Sequence, residues 1–292
     1  MRLKSRKGVL LSLGALLLLA GSAAAQSLGT SARQLPKGSL KLLAFYQGTQ
    51  DQVLNFNVAG GGSCTSGNNI SFACTQSGDV EAKGSGGQGL LKLVYQPWES
   101  LQYYAVWGAG DYTLRVPSTT LVNTLTGDNA GMTYGGGVKA VIMPDTQFSP
   151  AIAADISVLY SRYKFNRRTP SSGVVTSPIM INQALGLTQY QAAIEASHVF
   201  TVVDAQDKRE AKEAGFDIVK TGLKLEPYGG VKWTRIQSDL HDLQDGSHSG
   251  GQQDTITPFL GLRVPFQEHE TLFAEGSFVN GYQYAAGLEL RF

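Results

Sequence analysis

The last eleven residues of the chain alternate between apolar side chains and polar or small ones. From Tyr282 to Phe292 every even position is apolar, whereas Glu289 and Arg291 occupy odd positions. A period of two predicts a β-strand whose two faces differ. One face of this strand suits an apolar medium, and the other face carries charges.

The same alternation marks eight further segments, and a ninth, 101–112, is rich in aromatic residues but has ambiguous faces. The nine segments are 38–46, 87–97, 101–112, 131–143, 149–165, 188–203, 223–236, 256–266 and 271–279. With the final strand they predict ten strands, an even number that places both ends of a barrel on one side. Several segments reach the length of roughly 9–11 residues that crosses a bilayer at a tilt. Segment 50–58 also alternates, so it either extends the first hairpin or raises the count to twelve.

The connections between these segments alternate in length. Short ones are 97–100, 144–147 and 267–270, whereas long ones are 47–86, 113–130, 166–187 and 237–255. Two connections depart from this rhythm. Residues 204–222 are long where a short turn is expected, and their charged, alanine-containing part predicts one or two helical turns. The pair Asn280-Gly281 is very short and suits a tight hairpin.

The N-terminal segment has the features of a secretory signal. Met1 to Ala25 combines four basic residues, an apolar run and three consecutive alanines, which predicts export and cleavage after about Ala25. Removing it leaves 20 Lys and Arg against 23 Asp and Glu, a net charge of about −3,. Because no basic excess remains, nucleic acid is not an expected partner. Composition alone still leaves open a soluble periplasmic or secreted β-protein.

An exported chain with alternating strands and a terminal aromatic residue resembles bacterial outer-membrane β-barrel proteins of the small porin-like and OmpA-like kind. The C-terminal strand carries the resemblance through Tyr284, Leu288, Leu290 and Phe292. It implies an all-β fold, a closed antiparallel transmembrane barrel of about ten strands with short periplasmic turns and long external loops. Residues 26–37 would form a short periplasmic segment and 38–292 the barrel. The implied location is the outer membrane of the Gram-negative cell envelope, with outer-membrane lipid and, through the last strand, the barrel-assembly machinery as partners.

Twelve charged residues are expected to face the barrel interior. They are Lys41, Lys92, Lys139, Asp155, Glu195, Lys224, Glu226, Lys232, Arg263, Glu275, Glu289 and Arg291. Charges of both signs in a narrow interior should pair. A ten-stranded barrel is only slightly wider than the eight-stranded size that side chains fill. We therefore expect a plugged polar core, and the alternative is a narrow conduit that slightly favours anions.

Cys64 and Cys74 are the only cysteines, and both lie in one Gly/Ser/Asn-rich connection. A lone pair in an exported protein predicts a disulfide, here in an external loop. No histidine cluster accompanies the cysteines, so they make a poor metal site. No metal and no cofactor are expected.

One histidine motif suggests chemistry. Asp239-Leu240-His241-Asp242 resembles half of the catalytic centre of the omptin outer-membrane proteases. The resemblance implies that His241 would activate a water molecule and that Asp239, or else Asp242, would orient the histidine. Omptins carry a second acidic pair across the cleft, and the connection 113–130 offers only Asp128. The sequence therefore predicts that the protein is not an enzyme.

The expected function is a structural or surface-binding role, in which the long external loops contact an extracellular ligand, a partner or a host or cell surface. A small porin or transporter for modest solutes is the first alternative. An omptin-like protease is the second.

Overall fold

The computed structural model describes residues 32–65, 71–117, 122–171, 178–202, 223–244, 246–266 and 269–292. The described elements are β-strands, and these residues contain no helix long and apolar enough to span a membrane. The strands are β1 (Leu40–Thr65), β2 (Ser71–Trp98), β3 (Leu101–Pro117), β4 (Val122–Thr126), β5 (Gly131–Met143), β6 (Ala151–Ser171), β7 (Ile179–Ser197), β8 (Phe200–Val202), β9 (Leu223–Asp242), β10 (His248–Pro265), β11 (Glu270–Ser277) and β12 (Tyr282–Arg291).

Ten of these strands close into an antiparallel ring in the order β1, β2, β3, β5, β6, β7, β9, β10, β11 and β12. The ring closes between β1 and β12, whose pairing runs from Lys41 opposite Arg291 to Gln50 opposite Tyr282. Strands β4 and β8 are short additions of five and three residues. The predicted closed barrel of about ten strands is confirmed. We call the end with Lys41 and Arg291 the lower end and the opposite end the upper end.

The outer surface of the ring carries an apolar band between two rows of aromatic residues. Exposed aliphatic side chains of the band include Ile142, Ile156, Ile194, Val231, Leu260 and Leu272. The upper row consists of Tyr46, Trp107, Tyr134, Tyr160, Tyr190, Trp233 and Tyr284, and the lower row of Tyr95, Trp98, Tyr103, Phe148, Phe200, Phe266 and Phe292. An apolar belt with aromatic rows at both edges is typical of a barrel that spans a membrane. Such exposure would not suit water, where contiguous apolar patches this large are rare in monomers.

The long connections predicted on one side of the barrel consist largely of strand. Segment 50–58 lies within β1, so it extends the first hairpin, and β1 and β2 are 26 and 28 residues long. Strands β6, β7, β9 and β10 likewise continue beyond the upper aromatic row. The segment 204–222, predicted to contain helical turns, lies outside the described residues, as does the signal segment 1–25.

The hairpin between β11 and β12 ends at the predicted tight turn, well below the other upper connections. Asn280 and Gly281 have φ angles of 62° and 82°, as a type I′ turn requires at both central residues. The Asn280 side chain also binds β1, because its Oδ1 accepts a hydrogen bond of 2.8 Å from the Val53 backbone nitrogen. The short hairpin is thereby fixed to the neighbouring wall.

Above this turn the ring narrows from ten strands to eight. Strand β1 meets β10 directly, with Asn57 paired to Gly250, while β4 takes the place of β5 between β3 and β6. A Cβ atom on Gly251 would lie 1.6 Å from the Asn55 carbonyl oxygen, so the close approach of β10 requires glycine there. Eight strands enclose a space that side chains can fill completely.

Candidate functional site: a barrel interior filled at three levels

The lower mouth of the barrel is occupied by residues that precede the first strand. Leu35 is 4% exposed, and its backbone nitrogen donates a 2.8 Å hydrogen bond to Gln96 Oε1. Gln102 Nε2 donates to the Arg33 carbonyl oxygen at 3.2 Å and to Gln96 Oε1 at 3.1 Å. The predicted periplasmic segment 26–37 is described from residue 32 onward, and its Ala32 and Leu35 are buried in the mouth of the barrel, whereas Arg33, Pro36 and Lys37 are exposed.

Above the mouth, a buried carboxylate organises one set of inward charges. Glu289 accepts a hydrogen bond of 3.1 Å from Lys41 Nζ and another from the Arg263 guanidinium. The Arg263 guanidinium also lies 3.5 Å from Glu226, and Arg291 lies 3.5 Å from the other oxygen of Glu289. Two buried carboxylates and two buried cations therefore share one network, with Arg291 at its half-exposed edge.

A second set of inward charges lies on strands β2 to β7. Lys139 Nζ donates a hydrogen bond to Glu195, and both side chains are almost fully buried. The Tyr104 hydroxyl donates a hydrogen bond of 2.6 Å to Asp155 Oδ1, and Lys92 Nζ lies 3.7 Å from the centre of the Tyr104 ring. These contacts hold charges of both signs together in the low-dielectric interior.

The third set centres on Glu275. Its Oε2 accepts a 2.9 Å hydrogen bond from Tyr228, and Lys232 Nζ lies 5.9 Å from the centre of the Phe259 ring. The structure thus places ten of the twelve predicted inward charges in buried or half-buried positions within the lumen: Lys41, Lys92, Lys139, Asp155, Glu195, Glu226, Lys232, Arg263, Glu275 and Glu289. Arg291 is half-buried at the rim.

Lys224 is the exception, because its side chain is exposed. It has the inward phase of β9, but it is the second residue of the strand and pairs with Thr201 of the short strand β8. At this level the strand extends below the packed interior, so the Lys224 side chain is exposed although it is on the inward-facing side of β9. The prediction that Lys224 faces the lumen is therefore wrong, and the residue lies at the lower edge of the barrel.

A small polar cavity lies above the charged level. Its volume is about 20 Å³, which is room for about one water molecule, it is partly open to solvent, and its polar walls include Gln47, Gln52, Gln88, Gln189 and Ser161. Gln52 Oε1 accepts a 3.1 Å hydrogen bond from Tyr112. Within the described part of the chain, the Nε2 atoms of Gln47 and Gln52 are buried without a hydrogen-bond partner. The cavity therefore offers hydrogen-bond donors to small polar molecules such as water.

The uppermost level is apolar. Its buried residues are Leu54, Phe56, Ala82, Tyr112, Leu114, Leu125, Tyr163, Phe165, Leu185, Leu187 and Ile236. The Tyr112 and Tyr163 rings stack at 4.8 Å between centroids, which forms the floor of this cluster above the polar cavity. We call this set the upper apolar core. It fills the eight-stranded part of the barrel as a soluble domain fills its own core.

The upper apolar core shows that the barrel changes polarity where the strands leave the membrane. In β9, Val231 and Trp233 point outward and Lys232 points inward, whereas above them Ile236 is buried inside and Gln237 is exposed outside. The sequence-based interpretation missed this level because it assigned the upper residues to loops. The sequence did carry a sign of this level, because along β9 the apolar residues shift from odd positions, such as 231 and 233, to even positions, such as 236 and 240.

The omptin-like residues do not form a cleft inside the barrel. Leu240 packs against the upper apolar core, so Asp239 and His241, its neighbours on β9, are exposed on the outer face. Asp242 Oδ2 accepts a 3.0 Å hydrogen bond from Gln183, and its Oδ1 accepts one from a backbone nitrogen in the following turn. Asp239 and His241 therefore face outward together, whereas Asp242 is half-buried beside Gln183.

Asp128, the acidic residue of the connection 113–130, is also engaged elsewhere. Its Oδ2 accepts hydrogen bonds from Asn166 at 2.6 Å and from Arg167 at 3.0 Å. No group of three or more potential metal ligands is found among the described residues.

The two cysteines lie near the tip of the first hairpin. The backbone register pairs Cys64 with Phe72 and Cys74 with Gly62, which makes the cysteines diagonal neighbours on adjacent strands. Their side chains lie outside the described part of the chain, so the disulfide stays a prediction.

The C-terminal signature lies on the outer face of β12. Tyr284 and Phe292 are 40% and 69% exposed, with Leu288 and Leu290 partly buried between them. This face belongs to the apolar band and joins the upper aromatic row to the lower one.

Comparison with known proteins adds the following similarities. No family model matches the chain, and no curated protein matches it. The translocator domain of the autotransporter NalP from Neisseria meningitidis aligns over 88% of this chain and 90% of its own, at 13% identity and a TM-score of 0.43. The outer membrane protease OmpT from Escherichia coli aligns over 89% and 98%, at 10% identity and a TM-score of 0.43. The outer membrane protein OprG from Pseudomonas aeruginosa aligns over 90% and 99%, at 8% identity and a TM-score of 0.35.

These similarities carry no argument about activity. The class of the protein follows from its own closed ring, its apolar outer band and its aromatic rows, which together define a β-barrel of the bacterial outer-membrane type.

Proposed function

We propose that the protein is an outer-membrane anchor that displays an external β-structure to a ligand or partner at the cell surface. The observation that carries this proposal is the filled interior. The seated N-terminal residues, the charged networks and the upper apolar core occupy three successive levels of the lumen. A barrel filled in this way is suited to support a surface structure.

The displayed structure is the free part of the first hairpin. Among the described residues, Asn57 forms the last backbone pair of β1 with the wall, opposite Gly250 of β10. Beyond it, residues 58–65 pair with 71–78 in eight cross-strand pairs. At about 3.4 Å per residue this two-stranded ribbon projects roughly 27 Å from the wall. A projection of this length, at the end opposite the chain termini, would face the outside of the cell.

A small porin or transporter is the second candidate, and the polar cavity is the observation that favours it. Buried amide groups that lack partners would bind a passing polar solute. Passage would nevertheless require separation of the Tyr112–Tyr163 stack above the cavity and of the ion-pair networks below it. This cost supports the anchoring role over transport.

Proteolysis is the third candidate, and the outward direction of Asp239 and His241 argues against it. We expect the protein in lipid vesicles to leave basic peptides intact. A general base contributes about 10²–10⁴-fold to a rate. Cleavage by the wild type that is lost in His241→Ala would therefore establish that the protein is a protease and would contradict the anchoring role.

The register of the hairpin allows a sharp test of the surface role. Because Asn57 pairs with Asp79, residues 58–78 can be replaced by Asn-Gly to give a two-residue hairpin that keeps the barrel register. The matched control replaces 242–247 by Asn-Gly between the paired residues His241 and His248.

The readouts are attachment of producing bacteria to cultured epithelial cells and aggregation of the bacteria with one another. Wild type and control should attach or aggregate above a non-producing strain, and the ribbon replacement should not. Equal behaviour of the wild type and the non-producing strain, at matched amounts of heat-modifiable protein, would refute the proposal.

A further inference from the structure

Two cations lie on the outer face of β6 directly above the apolar band. Tyr160 belongs to the upper aromatic row, and its ring lies 5.2 Å from that of Tyr134. The next outward positions along the strand are Arg162 and Lys164, which are both exposed. A step of two residues is roughly 6.8 Å along a strand. Arg162 and Lys164 therefore stand at the depth of lipid headgroups and not in the hydrocarbon.

Among the described residues, these two cations differ from Arg235 on β9 and Arg167 on β6, which both have an acidic partner. Within the described ranges, no carboxylate lies within salt-bridge distance of Arg162 or Lys164. Arg235 stands at the matching position two residues above Trp233, yet it binds Asp254 through two hydrogen bonds of 2.8 and 2.9 Å. These hydrogen bonds hold the pKa of the Asp254 carboxyl below its ordinary value.

The floor beside the two cations is covered, because a Cβ atom on Gly186 would lie 3.6 Å from the Tyr160 hydroxyl oxygen and Ala184 is 4% exposed. Arg162 pairs with Gly186 and Lys164 with Ala184 on β7, so the floor next to them consists of small residues. On the other side of β7 is β9, where Gly186 pairs with Asp239 and Ala184 with His241. Strand β6 therefore carries two cations, while the carboxylate of Asp239 lies across the floor.

We propose that Arg162 and Lys164 bind the phosphate group of a lipid headgroup in the external leaflet. A guanidinium and an ammonium at headgroup depth suit phosphate oxygens, which accept charge-assisted hydrogen bonds from both. Tyr160 and Tyr134 would contact the acyl chains below the headgroup. Asp239 confines the phosphate to the β6 wall. This inference requires the membrane-spanning fold but not the proposed role in surface binding.

The experiment measures retention of phosphatidylglycerol by the purified full-length mature protein in a neutral detergent. Each basic residue near an anionic lipid surface strengthens attraction by roughly fivefold, so Arg162→Gln/Lys164→Gln should weaken retention by about twenty-five-fold. Arg235→Gln is the matched control, because its charge is already neutralised by Asp254. It should change retention by less than about twofold. All three proteins should show the same heat-modified shift on gels, because the altered side chains are exposed.

Two outcomes would overturn the proposal. One is equal retention of phosphatidylglycerol by the wild type and the double variant, or an equal loss in the Arg235→Gln control. The other is displacement of the lipid by inorganic phosphate at equal concentration, which would identify a site for free anions. Retention that withstands phosphate and falls only in the double variant would establish the lipid site.

Discussion

Replacing Lys139 by methionine should destabilise the barrel strongly, because it leaves the buried Glu195 carboxylate without its cation. Lys139 donates a hydrogen bond to Glu195, and the two side chains are 1% and 2% exposed. Asp155 lies directly opposite Lys139 on β6, so the change leaves two carboxylates close together. Removing one member of a buried ion pair costs about 3–5 kcal/mol. We expect Lys139→Met to fall within this range.

The double variant Lys139→Met/Glu195→Leu provides the internal control. It removes both charges and fills their volume with apolar groups, which is often close to neutral for a buried pair. The assay is urea-induced unfolding of the protein in lipid vesicles, followed by tryptophan fluorescence. Neutralising the exposed pair Arg235–Asp254 should change the stability far less, because water already solvates both groups. A cost below about 1 kcal/mol for the single variant, or a double variant less stable than either single one, would refute the reasoning.

Three further outcomes follow from the structure. Leu185→Ala should lower the free energy of unfolding by about 2–5 kcal/mol by opening a cavity in the upper apolar core, whereas Leu185→Met should cost less than about 1.5 kcal/mol. Asn280→Ala should cost about 1–3 kcal/mol, since it removes the hydrogen bond to Val53 and strains a residue with positive φ; Asn280→Gly should cost less because glycine adopts that φ freely. Urea unfolding measures both. Thiol labelling of intact, unreduced cells should give no signal at Cys64 or Cys74, and labelling of both would exclude the disulfide.

The membrane-spanning part of the fold could be predicted from the sequence because one physical rule governs it. Alternate residues contact lipid or the lumen, so a period of two identifies each crossing. Val231 and Trp233 point outward while Lys232 is buried, as that rule requires. The turn at Asn280-Gly281 could also be predicted from the sequence, since an Asn-Gly pair strongly favours a two-residue hairpin turn.

The upper part of the fold was not predicted, because the rule inverts where the strands leave the membrane. Water lies outside the strands there, so apolar residues such as Ile236 and Leu240 turn inward. In β1 an irregularity in the pairing between Thr49 and Gln52 accompanies this change, and Asp51 has a φ of 53°. If apolar residues are expected at every second position of one face throughout, each strand is predicted to end near the membrane surface. The part of the strand above that point is then mistaken for a loop.

Two features of the lumen depend on distant parts of the chain and leave no local pattern. Leu35 enters the lower mouth because Gln96 and Gln102, more than sixty residues away, supply hydrogen bonds to its segment. The eight-stranded upper ring depends on contact between β1 and β10, for which Gly251 is required. Neither pairing follows from the alternation within one strand.

The conductance of the full-length mature protein in planar lipid bilayers tests the central claim of a filled barrel most directly. Lys139 and Lys232 lie buried in the charged level, so any ion that crossed would have to pass them. A filled barrel should show no stable channel openings at voltages and protein amounts at which a known porin conducts. Stable openings whose ion selectivity changes with Lys139→Glu or Lys232→Glu would contradict that claim and would establish a transport role.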